Sequence, residues 1–342
     1  MLETAARPSH FVNRCTLGAF RLPKKTEASV ENAMGNTVSG LEPWTRRDEL
    51  AALAVLIASK SLRIERLAAE VEALESAVVV LDRIQRESVL APKFDDGDIR
   101  RALSEVDGWI AAGRDVRAVF DRSYPLNLRD VFNKPPLLFL KGMWMPHRDD
   151  LSVAVVGTRK ATSDGLKRAR ETATRLAEAG VTVVSGLAAG IDTAAHIAAL
   201  DAGGRTVAVM GTGIDRVYPR ENAALADRIV AAGGALVSQF FPDHPPNPAS
   251  FPLRNIVMSG LSLATFVIEA SETSGAKMQA RLALHHGRAV FLPTSLVQQH
   301  EWARKMVEIG IGGAHAVSVE SVEEVIERFV GAPYEAPSFA AM

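Results

Sequence analysis

Cysteine is nearly absent from this chain of 342 residues: Cys15 stands alone, so no internal disulfide can form. No Cys/His cluster has the spacing of zinc ligands, which removes a structural zinc site from consideration, and no metal is expected. An excess of one charge is also missing. Lys and Arg number 39 against 40 Asp and Glu, for a net charge of −1, which excludes a protein that coats nucleic acid by bulk charge. No stretch approaches the ~18 uninterrupted apolar residues of a membrane helix. The opening Met1-Leu2-Glu3-Thr4 lacks the basic-then-apolar order of a secretory signal. A cytoplasmic protein without a membrane part is therefore expected. With 47% hydrophobic and 23% charged residues, the chain has length for two domains and apolar material for at least one full core.

Two nucleotide signatures are absent as well. No G-x-x-x-x-G-K-[ST] occurs, which argues against a P-loop ATPase. Gly211-Thr212-Gly213 opens like a dinucleotide fingerprint, but Arg216 stands where the third glycine belongs, so nicotinamide or flavin binding is unsupported and no cofactor is expected.

Residues 1–45 mix Pro, Gly, Ser and Asn with charges and no sustained periodicity, and read as a mobile extension. Residues 46–118 read as a helical N-terminal region. Leu50, Leu53, Ile57, Ile64, Leu67, Val71, Leu74, Val78 and Leu81 follow heptad spacing, which gives either one long pairing helix or a helical hairpin broken near Ser59-Lys60-Ser61. Ala54, Val55, Leu56, Val79 and Val80 widen the stripe beyond a coiled-coil seam and favour the hairpin. A second helical pattern runs from Ile99 to Ala112. Tyr124-Pro125, Pro135-Pro136 and the apolar run Leu137–Leu140 then suggest a short extended segment docking on the next domain.

Beyond Asp150, short β-branched runs alternate with Gly-rich turns and helical stretches. The expected strands are Ser152–Val156, Thr182–Ser185, Thr206–Met210, Ala235–Ser238, Ala264–Glu269 and Ala289–Leu292. Their near-continuous hydrophobicity predicts an α/β fold with a Rossmann-like, doubly wound, mostly parallel sheet spanning 119–330, followed by a tail at 331–342. Ligands of such sheets bind outside the carboxyl ends of the strands, so the residues following each strand are the candidates for function.

Gly157-Thr158-Arg159 follows the first strand and precedes a helix for which Ser163 is a plausible N-cap. A glycine for close approach, a helix N-terminus and an arginine fork together make an anion site. Arg159, Lys160, Lys167, Arg168 and Arg170 here face one acid, Asp164, which reads as a local polyanion site or as a solvated helix face. After the second strand, Ser185, Gly186 and Gly190 frame a tight loop, Asp192 can cap the helix that follows, and His196 lies one turn on along the same face; the pair could be catalytic or could only fix the loop. Gly211, Gly213, Tyr218 and Asn222 follow the third strand. A stiff Pro-rich loop then presents Phe251, Arg254 and Asn255, which suit a stacked base, a phosphate and a base edge, although Phe251 could equally be core. Ser274, Gly275 and Lys277 open the helix after Glu269 as a second anion cradle.

In order, G-T-R at 157–159, S-G-L-A-A-G-I-D-T-A-A-H at 185–196, A-V-M-G-T-G-I-D-R-V-Y-P at 208–219, Asn222, F-P-L-R-N at 251–255, G-L-S at 260–262 and E-A-S-E-T-S-G at 269–275 resemble the DprA/Smf family of DNA-processing proteins. The resemblance implies a single-stranded DNA-binding, non-enzymatic recombination mediator that dimerises and loads the RecA recombinase onto incoming strands in natural transformation. It also implies that Arg159, Gly186, Phe251, Arg254 and Asn255 touch DNA while Asp192 and His196 are loop architecture. The chain departs from the family pattern at Gln239, Ile256 and Pro293-Thr294, and the family's S-G-S-L-I-T becomes Ser274-Gly275-Ala276-Lys277-Met278-Gln279. The alternative is a nucleotide-binding sensor or nucleotide-cleaving enzyme on the same fold; the P-G-G-x-G-T signature of such enzymes is absent, because Gly203-Gly204-Arg205-Thr206 precedes a strand.

Overall fold

The computed structural model describes residues 44–87 and 93–330. Apart from Trp44 and Thr45, the extension expected over 1–45, with Cys15, lies outside the described residues, as does the tail at 331–342. The described chain forms two compact units.

The smaller unit holds the helices Arg46–Ser59, Ala77–Arg86 and Asp96–Ala111. Thr45 and Asp48 close a capping box on the first, which ends where Lys60 turns left-handed at φ 52°. Leu50 to Leu56 are buried without interruption, so this helix is apolar all round and is no coiled-coil seam. The Glu49 carboxylate accepts the Ser76 hydroxyl at 2.7 Å and the Ala77 N–H at 2.6 Å, which caps the second helix. The heptad run is thus several helices with breaks at Lys60 and Glu75, both at positive φ.

The larger unit comprises residues 62–73 and 112 onward. Its sheet has nine strands: β1 (Asp115–Ala118), β2 (Leu137–Gly142), β3 (Ser152–Gly157), β4 (Thr182–Ser185), β5 (Thr206–Val209), β6 (Ala235–Ser238), β7 (Ala264–Glu269), β8 (Ala289–Pro293) and β9 (Val317–Val319). The spatial order is β1-β2-β6-β5-β4-β3-β7-β8-β9. β1 and β2 are antiparallel to their neighbours, with Phe139 opposite Ser238, and the other pairings are parallel. The fold is therefore the expected Rossmann-like, mostly parallel α/β sheet. Leu137–Leu140, expected only as a docking segment, is a strand of the sheet itself, and β1 and β9 were not anticipated.

β3 lies at the centre between β4 and β7. The chain winds outward from it to β6, then crosses back to β7 on its other side, so the topological switch falls between β3 and β7. Below the switch, Val153, Val155, Phe266 and Ile268 meet Ala169, Ala173, Leu176, Ala195 and Ala199 of the helices Ser163–Glu178 and Ile191–Asp201. The alanine-rich faces let these helices approach the sheet closely, which holds the loops at the carboxyl ends of β3 and β7 in fixed positions.

Candidate functional site

A cavity of about 420 Å³ opens at the switch point. Its walls are the β3 loop (Gly157 to Lys160), the β7 loop and following helix start (Ser271 to Gln279), and Phe251, Arg254, Asn255 and Met258 of the helix Ser250–Leu261. Ala188 and Asp192 reach it from the β4 loop. Of the residues expected at the site, the structure brings Gly157, Thr158, Arg159, Asp192, Phe251, Arg254, Asn255, Ser274 and Gly275 to this cavity.

The two expected anion cradles differ. At the helix Ser163–Glu178 the N-cap is Thr162 and not Ser163, and its hydroxyl accepts the Gly165 N–H at 3.0 Å. The same hydroxyl donates to the Glu269 carboxylate at 2.9 Å, and the Thr162 N–H donates to that carboxylate at 3.1 Å. A carboxylate from β7 thus occupies this helix N-terminus, and an added Cβ at Gly165 would lie 1.7 Å from Glu269 Oε2. The second cradle is open to the cavity. Ser274 caps the helix Gly275–His285 by accepting the Ala276 N–H at 3.2 Å, and nothing lies within 4 Å of a Cβ built on Gly275.

Arg159 is exposed and forms no ion pair among the described residues; its guanidinium lies 4.9 Å from the Phe251 ring centroid. Beneath the ring, a Cβ on Gly211 would come within 2.6 Å of it. Phe251 is half-buried at the cavity wall, between the Gly211 backbone and the Arg159 guanidinium. Tyr218, 44% exposed, stands with its ring centroid 5.7 Å from that of Phe251.

Arg254 is buried and donates to the Val209 carbonyl at 2.9 Å. A Cβ on Gly186 would lie 1.5 Å from its Nη1, so that glycine makes room for the protein's own guanidinium. Asp192 does not cap its helix, whose N-cap is Gly190; its carboxylate accepts the Gly186 N–H at 3.1 Å and ties the loop down. Burial pushes the Asp192 carboxyl up against the opposing pull of Arg254 and of the Ala188 and Gly186 N–H groups. His196 is no partner of Asp192. Its Nδ1 hydrogen-bonds Thr206 Oγ1 at 2.7 Å, and burial followed by the charge of Arg254 pushes its pKa down to about 3, so the ring is neutral. Asn222 donates to the Leu187 carbonyl at 2.8 Å and to Thr193 Oγ1 at 2.9 Å, which also fixes the β4 loop.

Lys277 is outside the cavity lining: its ammonium pairs with Glu272 at 2.9 Å and lies 5.8 Å from the Trp302 ring centroid. Ser185, Gly186, Gly190, Gly211 and Gly213 do not line it either. Ser185 donates to the Val155 carbonyl at 2.6 Å, Gly190 packs on the Thr158 carbonyl and Gly213 on the Phe241 and Pro242 carbonyls. The cavity adds Lys160, Ser271, Thr273, Met278 and Gln279, which sequence reasoning did not select. Lys160 carried a signal as a member of the basic cluster, Ser271 and Thr273 lie in the 269–275 motif, and Met278 and Gln279 lie in the turn that departs from the family pattern. Among the described residues no group of His, Cys, Asp and Glu could hold a metal ion, and no helix is long and apolar enough to cross a membrane.

The sequence pattern of the family described as DNA recombination-mediator protein A matches residues 115–330. The chain belongs to that family. It is 33% identical to the DNA processing protein DprA of Bacillus subtilis over 258 residues, which span 73% of this chain and 86% of that protein. The solved structure of DprA from Streptococcus pneumoniae superposes with a TM-score of 0.65 at 29% identity, covering 82% of this chain and 97% of that one. A structure of DNA processing protein A from Helicobacter pylori, concerned with the single-stranded DNA binding mode of that protein, shares the fold with a TM-score of 0.54 at 24% identity, covering 64% of this chain and 96% of that one. Against Protein Smf of Synechocystis the chain spans less than half of the relative, 45% of its length. The matched region begins at β1, upstream of the expected start at 119.

Proposed function

We propose that this chain binds single-stranded DNA across the carboxyl end of its parallel sheet. In this reading it is a non-catalytic recombination mediator that loads a RecA recombinase onto incoming DNA in natural transformation, as a homodimer in the cytoplasm. The observation that carries the reading is Arg159: an exposed guanidinium without an acidic partner, steered by Phe251 to the mouth of a cavity whose far wall is an open helix N-terminus. Phosphates meet Arg159, Lys160 and the Gly275 N–H, while bases stack on Tyr218 and on the outer face of the Arg159 guanidinium, since every base offers a π face. Family membership and the DNA-binding subject of the Helicobacter pylori structure support the choice of ligand.

The test is competition against a labelled oligonucleotide. Unlabelled single strands are expected to displace it at concentrations at least ~10-fold below those of duplex of the same length, because a duplex keeps its bases from the aromatic face. Equal competition by the two forms overturns the reading.

A further inference from the structure

In the loop after β7, Ser271 and Thr273 line the cavity, whereas Glu272 between them does not. The Glu272 side chain, 59% exposed, turns instead to the first turn of the helix Gly275–His285, where its Oε2 accepts the Lys277 ammonium at 2.9 Å. Its other oxygen, Oε1, lies 3.8 Å from Nδ1 of His300, the N-cap of the helix Glu301–Glu308. Lys277 is engaged from a second side as well, because its ammonium lies 5.8 Å from the ring centroid of the buried Trp302 on that same helix. A carboxylate and an aromatic face from two separate elements thus hold one ammonium.

The backbone position of Lys277 suits a phosphate contact that its side chain does not make. Ala276 and Met278 on either side of it line the cavity, and its flexible stem allows the ammonium to swing about that anchor once it is released. An exposed ion pair contributes little to the fold, so the consequence of this one lies in binding: the acid cancels a positive charge where a polyanion approaches. Arg159, by contrast, has no acidic partner among the described residues. Lys277 stands where the family pattern S-G-S-L-I-T has leucine, so the neutralised cation is a feature of this chain.

We infer that Glu272 sets the strength of strand binding by holding the Lys277 ammonium away from the strand, and that loss of its charge releases Lys277 to a phosphate. The inference rests on the strand-binding reading and adds to it a residue that lowers affinity without touching the ligand. A strand held by one phosphate contact fewer dissociates more readily, since affinity differences of this kind appear mainly in the off-rate.

The experiment is oligonucleotide anisotropy over a salt series for the full chain, Glu272→Gln, Lys277→Gln and the double variant. Glu301→Gln serves as the control, because it makes the same charge change at another exposed acid, one paired with Lys305 at 2.6 Å. Glu272→Gln is expected to bind about 5-fold more tightly at about 0.1 M salt, with a plot of log affinity against log salt steeper by about 0.7, the worth of one single-strand phosphate contact. Lys277→Gln alone is expected to match the parent, since Glu272 already neutralises that charge, yet in the Glu272→Gln background it abolishes the gain. Glu301→Gln is expected to leave the slope unchanged. Equal gains from Glu272→Gln and Glu301→Gln reduce the effect to net charge and overturn the inference, as does a gain that survives in the double variant. A parent that binds while Glu272→Gln binds no better overturns this inference alone; absence of binding by every one of these proteins overturns the strand-binding reading and this inference with it.

Discussion

The Glu269 carboxylate sits in the first turn of a helix 107 residues away in sequence, accepting the Thr162 hydroxyl at 2.9 Å. One of the two helix N-termini at the switch point is thereby satisfied by the protein, and the other, at Gly275, is left open to the cavity. The contact also places a carboxylate at Thr162, three residues past Arg159 of the cavity wall. Glu269→Ala removes both bonds to Thr162 and is expected to cost about 1 kcal/mol of stability, the usual worth of a helix cap, while Glu269→Gln keeps an acceptor and costs less than half as much. Urea unfolding checks this, and an alanine variant as stable as the parent contradicts it. Both variants are expected to bind oligonucleotides at least as well as the parent.

In the proposed reading Phe251 acts through Arg159, whose guanidinium lies 4.9 Å from its ring centroid. Phe251→Ala is expected to weaken oligonucleotide binding roughly 2- to 5-fold, in proportion to the 0.5–1 kcal/mol of an exposed cation–π contact. Arg159→Ala weakens it more, and the double variant is no weaker than Arg159→Ala alone. Additive losses in this double-mutant cycle show instead that Phe251 touches the strand itself.

How far the site was legible in the sequence follows from what glycine can and cannot say. The parallel strands β3 to β8 stood out because a strand buried on both faces is a continuous apolar run between turn signals. β1 did not, since its four residues alternate Asp115 and Arg117 with Val116 and Ala118 and carry too little pattern to separate from a loop. The glycines after β4 and β5 correctly mark close approach, but the spacing is silent on what approaches. At Gly186 it is Arg254 and at Gly211 it is Phe251, both side chains of the protein from the helix Ser250–Leu261. Lys277 likewise reads as a phosphate ligand until Glu272 and Trp302 are seen beside it. Gln279 is visible in the sequence only as a departure from the family's threonine, because an amide on a helix becomes informative only when it is known to be buried and unpaired.

His196 gives the fold a defined acid sensitivity. Its folded pKa of about 3 lies below the ordinary 6.5, so between these values the unfolded chain takes up a proton that the folded chain refuses. Stability from this group is therefore intact above pH 6.5 and falls as the pH drops toward 3. His286, pushed down to about 4 by burial and the neighbouring Arg288, acts in the same direction, whereas Asp150, raised to about 6 by burial and by Asp149, acts oppositely between 3.8 and 6. Comparison with His196→Asn isolates the first contribution. From pH 7 to pH 5 the parent is expected to lose about 2 kcal/mol more than the variant, at about 1.4 kcal/mol per pH unit below 6.5. Equal losses in urea unfolding at the two pH values contradict the neutral, buried imidazole.

The claim that phosphates of a DNA strand are held at Arg159 and Lys160 is tested most directly by oligonucleotide anisotropy over a salt series, for the parent and the Arg159→Ala/Lys160→Ala double variant. If the two cations contact phosphates, the variant binds more weakly at low salt and its plot of log affinity against log salt is shallower by about 1.4, the slope of roughly 0.7 per single-strand phosphate contact taken twice. Parallel lines of equal affinity contradict the account.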